Sequence, residues 1–448
     1  MGIKRENNYS DSWQPLVTVV FFTIFLMGSI ALNGQVFKTS NIKLYDFFNT
    51  FFIKEIPIEV SGLPNHMTEN FGLEKVSFTI KHKRVSDLKI QLQSPDGNTV
   101  WVSNRNGGTT GENYINTQCR QYGKNGLINN AAAPFTGSFT PSGEFSFFTN
   151  NSNPNGTWKL LVEDLQKGEE GFLDSVVLHF GNHPAFIKQR KYCSFSDPNL
   201  CTAADKNGLL LPDLVIVPSF TKNQYQEFAY NDPMYPRQLK IAVAIANIGL
   251  GPLEVAPDSV LAGNCCNGDS IKNMDAKRFD LYQKIYSLHK NKITFGVKKT
   301  GTIYYEKMPG HHHFHVDDWI EMRLVKVVNG KRKLICKGNK VSYCLFTTGM
   351  LYEKDSSSII NKIQYGKNMS NYALGEYYAC SLSKQGISVG GYDYYGMMYE
   401  GQYLQLPQGF KNGSYFLEIE IDPDKKYTES NKSNNTFRMP VTISKQQQ

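Results

Sequence analysis

The chain has 448 residues, 40% hydrophobic and 20% charged, with 48 basic against 40 acidic side chains and a net charge of +8. At about 100–200 residues per domain, that length predicts two to three domains. The balance excludes a disordered tail, a polytopic membrane protein, a collagen or coiled-coil repeat and the strongly basic footprint of a nucleic-acid binder, so no nucleic-acid partner is expected. Eight cysteines are too few for a disulfide scaffold of this size but enough for a few bridges.

In chain order, the first segment is 1–34. Lys4 and Arg5 precede an uncharged, mostly apolar run from 15 to 32. A basic lead and an apolar core read as a secretory signal peptide, with Ala31 and Gly34 as small residues for cleavage; the run is also long enough for a signal anchor. Either reading places the remaining chain outside the cytosol, secreted or anchored, with no membrane contact beyond that anchor. Asn-x-Ser/Thr sequons at Asn150, Asn155, Asn368, Asn412, Asn431 and Asn434 agree with a glycosylated extracellular chain.

From about 43 to 181 the pattern is short alternating segments. Residues 76–83 (VSFTIKHK) and 87–103 (DLKIQLQSPDGNTVWVS) alternate with period two, and the SPDGN turn is a hairpin signal. A second pair, 155–164 (NGTWKLLVED) and 171–180 (GFLDSVVLHF), flanks LQKGEE, and the regular spacing predicts a β-sandwich. Residues 182–208 lack sustained periodicity and are read as a basic linker, with Cys193 and Cys201 as a candidate staple. From 209 to 445 alternation returns (LPDLVIVPS, LKIAVAIANIG, SYFLEIEIDP), predicting a second all-β unit long enough for one core.

Four of the nine histidines fall within five residues, His311 to His315. On a strand His311, His313 and His315 share a face, while His312 and Phe314 take the other. Neighbours at i and i+2 lie about 6–7 Å apart, close enough for three imidazoles to converge on one ion with a slight twist. Imidazole suits copper, zinc, iron and nickel, with copper(II) the tightest; the pattern alone chooses neither metal nor reaction.

Two resemblances add to these readings. D-L-x-I-x-L-x-S-P-x-G at 87–97, G-x-W-x-L-x-V-x-D at 156–164 and G-x-L-x-S-x-x-L-x-F at 171–180 resemble the P (Homo B) domain of subtilisin-like proprotein convertases, which implies a jelly-roll sandwich. No Asp/His/Ser protease domain accompanies it, so an accessory or binding module is expected, and Glu163, Asp164 and Asp174 are candidate calcium ligands. The region from 209 resembles the lysyl oxidase family: L-P-D-L-V at 211–215, H-x-H-x-H-x-x-D at 311–318, G-x-K-x-S-[FY]-C-L at 338–345, A-C-x-x-x-x-Q-G-[IL]-S-x-G at 379–390, Y-D-x-Y-G at 392–396 and E-S-x-x-x-N-N at 429–435.

That resemblance implies copper bound by His311, His313 and His315, and a lysine tyrosylquinone cofactor formed from Lys340 and Tyr395. Asp318 is expected to orient a ligand or to act as a base. The implied reaction is oxidation of peptidyl-lysine or another primary amine by molecular oxygen to an aldehyde, ammonia and hydrogen peroxide. Extracellular protein lysines or primary amines are the expected partners. Where the family has cysteines this chain has Gly310, Met350, Gly391 and Gly401, and Met322 replaces a family histidine. Cys344 is therefore expected to pair with Cys380 or with Cys336, and Cys265 and Cys266 to lie in a bridge elsewhere. The expected fold class is all-β: an N-terminal jelly-roll β-sandwich followed by a β-sandwich oxidase-like catalytic domain. The alternatives are an adhesion protein with an inactive oxidase-like domain, and a P-domain protein associated with extracellular proteolysis.

Overall fold

The structure is a computed structural model, which describes residues 34–47, 52–149, 151–185, 193–257, 278–307, 313–377, 380 and 383–447. The apolar run 15–32, Asn150, Cys265, Cys266, Gly310 and His311 lie outside the described residues. Among the described residues no helix is long and apolar enough to cross a membrane.

The N-terminal half is two facing sheets. One orders Gln35–Leu44, Gly171–Gly181, Gly72–Lys81, Tyr114–Cys119 and Phe135–Phe139; the other orders Ile53–Val60, Gly156–Asp164, Leu88–Gln93 and Thr99–Asn104. Alternation does the sorting. Val76, Phe78, Ile80, Leu178 and Phe180 are buried on one sheet, and Ile56, Ile58, Ile90, Leu92, Trp158 and Leu160 on the other, with polar neighbours facing out. The expected hairpin is present: the Ser94 amide donates to the Asn98 carbonyl at 2.9 Å, and Gly97 takes φ +90° at the turn. The segments 155–164 and 171–180 do not pair with each other. They lie in opposite sheets, because both bury one apolar face and the loop between them crosses the sandwich edge. Gln35–Leu44 begins the sandwich before residue 43; as an edge strand with few buried side chains it has little alternation to announce it.

The stretch expected as a linker is less free than its sequence suggests. Cys193 and Cys201 form a disulfide, and Cys193 is buried with Leu210, Tyr286, Leu374 and Val389. The Asn371 side chain accepts from the Thr202 amide at 2.9 Å and donates to the Ala203 carbonyl at 2.7 Å, which fastens this loop to the second half.

The second half is also all-β. Its main sheet orders Gln385–Ile387, Leu253–Pro257, Arg278–His289, Lys292–Glu306, His313–Val328, Gly413–Ile421 and Thr436–Ile443, with Lys331–Tyr343 paired to His313–Val328. A second sheet holds Leu214–Ile216, Val243–Asn247, Gly391–Tyr395 and Gly349–Met350. Between them lies a core that includes Trp319, Ile320, Leu324, Ile245, Leu404 and Leu417. Residues 34–448 cluster as one compact unit.

Candidate active site

The strand His313–Val328 supplies His313 and His315, Lys331–Tyr343 supplies Lys340 and Tyr343, and Gly391–Tyr395 supplies Asp393 and Tyr395; the turn that follows supplies Tyr399 and Glu400. As the alternation predicts, His313 and His315 face the same way: their Nε2 atoms are 3.0 Å apart, with His315 buried. The Tyr304 ring stands edge-on to His315 at 5.9 Å. The Sγ atoms of Cys344 and Cys380 lie within 4.8 Å of the His313 ring, but they are joined in a disulfide and offer no thiolate. Cys344 thus pairs with Cys380 and leaves Cys336 as a buried thiol against the Gln405 carbonyl.

A cleft of about 480 Å³ brings His315, Lys340 and Tyr395 to one space, with Tyr304, Glu306, Tyr343, Tyr399 and Glu400 among its walls. Tyr395 is held rigidly. Its ring stacks on Tyr343 at 3.6 Å between centroids with 9° between planes, and its hydroxyl donates to the Cys344 carbonyl. Burial pushes the Tyr395 phenol well above its usual range, and the neighbouring Asp393 and Tyr343 add to that. Asp393 is fully buried, and desolvation raises its carboxyl well above the ordinary range, against partial offsets from Thr348 and from the Phe346 and Tyr394 amides.

Lys340 reaches the cleft from Lys331–Tyr343, which among the described residues pairs with His313–Val328. Its ammonium lies 2.7 Å from both Asp424 carboxylate oxygens and 3.8 Å from Asp318. The hydrogen bond to Asp424 is the largest influence and raises the amine further. Lys340 and Tyr395 share the cleft without a bond between them.

Asp318 points toward two lysines. Its carboxylate faces Lys426 at 3.3 Å and Lys340 at 3.8 Å. The reason is a bulge: the five residues Val316 to Ile320 of the histidine strand stand against three of the partner strand, Tyr343 to Val341, and Asp318 adopts φ +55° inside it. Asp317 is the inward carboxylate, bonded to Arg278 at 2.6 Å and Thr302 at 2.8 Å. Period-two counting onward from His313 and His315 selects Asp317, whereas the family motif selects Asp318. The three candidate calcium ligands each face a basic side chain. Glu163 faces Lys89 at 3.5 Å, Asp164 faces His82 at 3.1 Å, and Asp174, on the opposite sheet, faces Lys81 at 2.9 Å, so the three carboxylates share no centre.

One side of the site is built by the N-terminal half. Lys89, Trp101 and Arg105 enclose a narrow space of about 50 Å³ with His313, Tyr395, Tyr399 and Glu400. No local sequence signal announces this, since about 300 residues separate the two walls.

Residues 74–180 match the family model described as proprotein convertase P-domain, and residues 365–448 match that described as lysyl oxidase. Protein-lysine 6-oxidase of Homo sapiens is 27% identical over 131 residues, covering 29% of this chain and 26% of its own length. The same-named Sus scrofa protein is 26% identical over 132 residues, 29% of this chain and 44% of its own. Lysyl oxidase homolog 1 of Homo sapiens is 26% identical over 132 residues, 29% of this chain and 19% of its own. The chain thus spans less than half the length of these curated relatives. It joins a P-domain-like segment to a lysyl oxidase-like one, and the second match contains Asp393 and Tyr395.

Proposed function

We propose that the chain is an extracellular copper-dependent amine oxidase of lysyl oxidase type, which converts peptidyl-lysine or another primary amine, with oxygen and water, to an aldehyde, ammonia and hydrogen peroxide. The observation that carries this reading is the meeting of His315, Lys340 and Tyr395 at one cleft, beside a second imidazole from His313. The donor set fits a metal. Two nitrogens each about 2.0–2.1 Å from one ion at a right angle lie about 3 Å apart, which matches the His313–His315 separation. His313 and His315 would hold copper, with His311 of the same motif as third ligand, and the copper with a lysine tyrosylquinone from Lys340 and Tyr395 would supply the electrophilic carbonyl and the two-electron acceptor.

The chain's own residues prepare that chemistry. Tyr343 fixes the plane of the Tyr395 ring, the Cys344 carbonyl fixes its hydroxyl, and the disulfide to Cys380 anchors that carbonyl. The carboxylates of Glu306 and Glu400 line the cleft and favour entry of a cationic amine. Burial favours the protonated form of Asp393, and its position next to Tyr395 makes it the group placed to exchange a proton there. Tyr304, Tyr343 and Tyr399 narrow the space open to water.

The test is to express the extracellular chain with copper and to search its peptides by mass spectrometry for a Lys340–Tyr395 cross-link. A linear Tyr395 peptide in copper-loaded protein overturns the proposal. Amine-dependent peroxide release, lost in His313→Ala, is the companion measurement.

A further inference from the structure

The outer face of one sandwich sheet carries Lys89, Gln91, Thr99 and Trp101, with Gln91 opposite Trp101 across the pair Leu88–Gln93 and Thr99–Asn104. Alternation alone would leave that face in water. Instead all four side chains are half-buried, because the oxidase-like half lies across them: the Trp101 ring stands edge-on to Phe346 at 5.1 Å and to Tyr399 at 6.3 Å. The seam between the halves is not closed. Beside the narrow space of about 50 Å³ at His313 and Tyr395 lies a second of about 150 Å³, and Trp101, Phe346, His313 and Cys380 line both. Gln91, Thr99 and Phe147 at its far end are half-buried, so the seam runs from His313 out to solvent.

Tyr395 is thus approached from two sides of different chemistry. The 480 Å³ cleft on the His315 side is walled by polar groups, among them Glu306, Lys337, Lys340 and Ser342. The seam on the His313 side presents Val100, Trp101, Phe147 and Phe346, and polar groups of its wall are engaged elsewhere. The Thr347 hydroxyl pairs with Ser388 at 2.8 Å, Thr348 donates to Asp393 at 3.3 Å, and Glu144 accepts from Ser146 at 2.6 Å and from Tyr352 at 2.9 Å. Narrow spaces walled by carbon stay dry and take up apolar gases; at roughly 30 Å³ per water-sized molecule, the inner one has room for a diatomic molecule but not for an aminoalkyl chain. We propose that the seam is a dioxygen passage: dioxygen enters between the two halves, passes the Trp101–Phe346 pair and reaches Tyr395 from the His313 side, while the amine occupies the cleft on the His315 side. The proposal rests on the amine-oxidase reading for its purpose, whereas the passage itself belongs to the copper-free chain. A peptide seated in the cleft blocks that entrance. A second entrance lets dioxygen arrive, take up two electrons and two protons, and leave as hydrogen peroxide without waiting for the peptide to depart. The P-domain-like half then serves the reaction by walling this route.

The experiment labels the full chain with fluorotryptophan and records the fluorine spectrum of copper-free protein under dioxygen pressure, with Trp101→Phe assigning the Trp101 signal. Trp158 and Trp319, fully buried in the two cores, are the internal reference. The paramagnetic shift induced by dioxygen is expected to be at least about twofold larger at Trp101 than at either. Thr99→Phe, which narrows the half-buried outer end far from Tyr395, should reduce that excess by about half or more. A hydrophilic gadolinium chelate, too large for the seam, reports the exposed ring edge and should change less between parent and variant. In copper-loaded protein Thr99→Phe should raise KM for dioxygen about fivefold, while KM for an alkyl diamine and kcat at saturating dioxygen change less than about twofold. A dioxygen shift at Trp101 no larger than at Trp158 and Trp319 overturns the proposal. So does an unchanged KM for dioxygen in Thr99→Phe, or a KM for the amine that rises in parallel. If Thr99→Phe fails to fold, Gln91→Phe at the same end decides by the same criteria. A parent chain that shows the Trp101 excess and its loss in the variant, yet releases no peroxide with any amine, removes the oxidase reading and leaves the passage standing.

Discussion

The proposed cofactor takes its amine from Lys340, and the structure gives that amine a competing partner. To join Tyr395 its amine must leave Asp424 and lose a proton, and the hydrogen bond to Asp424 opposes both. The pair is partly exposed, so its worth is that of a surface ion pair, about 0.5–1 kcal/mol. Asp424→Asn is therefore expected to speed cross-link formation after copper addition at pH 7 by about two- to fivefold, measured as the fraction of cross-linked peptide against time; an equal or slower rate shows that Asp424 is no brake. Glu429 carries a pH signature. Burial pushes its carboxyl up to about 7, with partial offsets from Asn435 and the Leu214 amide. Between pH 4.5 and 7 the folded chain keeps a proton that the unfolded chain loses, so stability falls as pH rises through that window, by up to about 3 kcal/mol, and stays lower above it. In Glu429→Gln the difference between urea midpoints at pH 5 and pH 8 should shrink; an undiminished difference assigns the slope elsewhere. Among individual residues, the histidine face was legible from alternation alone, and Lys340 and Tyr395 from family resemblance. Asp393 and Tyr343 were not, because their roles come from burial and stacking between strands that are distant in sequence.

The strands announced themselves wherever one face is buried. The hairpin around SPDGN and the returning alternation after 209 both follow from a period of two. What alternation cannot express is its own interruption. The bulge from Val316 to Ile320 shifts the register of His313–Val328, turns Asp318 out to Lys426 and buries Trp319 in the core. The same arithmetic placed 155–164 and 171–180 as neighbours, although an equally apolar face suits either sheet of a sandwich. If positive φ at Asp318 is what the bulge requires, Asp318→Gly should unfold within about 1 kcal/mol of the parent, because its ion pairs are exposed and weak, whereas Asp318→Val should lose about 1–2 kcal/mol. Equal denaturant midpoints for the two variants would mean that the bulge tolerates an ordinary backbone.

Two β-rich regions and a linker predict independent bodies, yet the halves share buried polar groups. Tyr352 donates to Glu144 of the sandwich at 2.9 Å and accepts from Gln121 at 2.9 Å, and its ring meets Tyr122 edge-on at 4.9 Å. Burial raises the Glu144 carboxyl, a cost the isolated sandwich would not bear if water reached that side chain. None of this is readable along the chain, since each contact spans more than 200 residues and rests on ordinary polar side chains. Its thermodynamic consequence is coupling. Chains of this size with two cores commonly unfold in separate steps, but here opening either half strands hydrogen-bonding groups of the other. Calorimetry should therefore show one transition, with calorimetric and van't Hoff enthalpies in agreement. Tyr352→Phe should lower stability by about 1–3 kcal/mol, because it leaves Glu144 and Gln121 buried without their shared partner. The same substitution should begin to split the single transition in two. Two resolved transitions in the parent chain would show that the halves fold independently and that the shared wall beside Tyr399 forms only after both are complete.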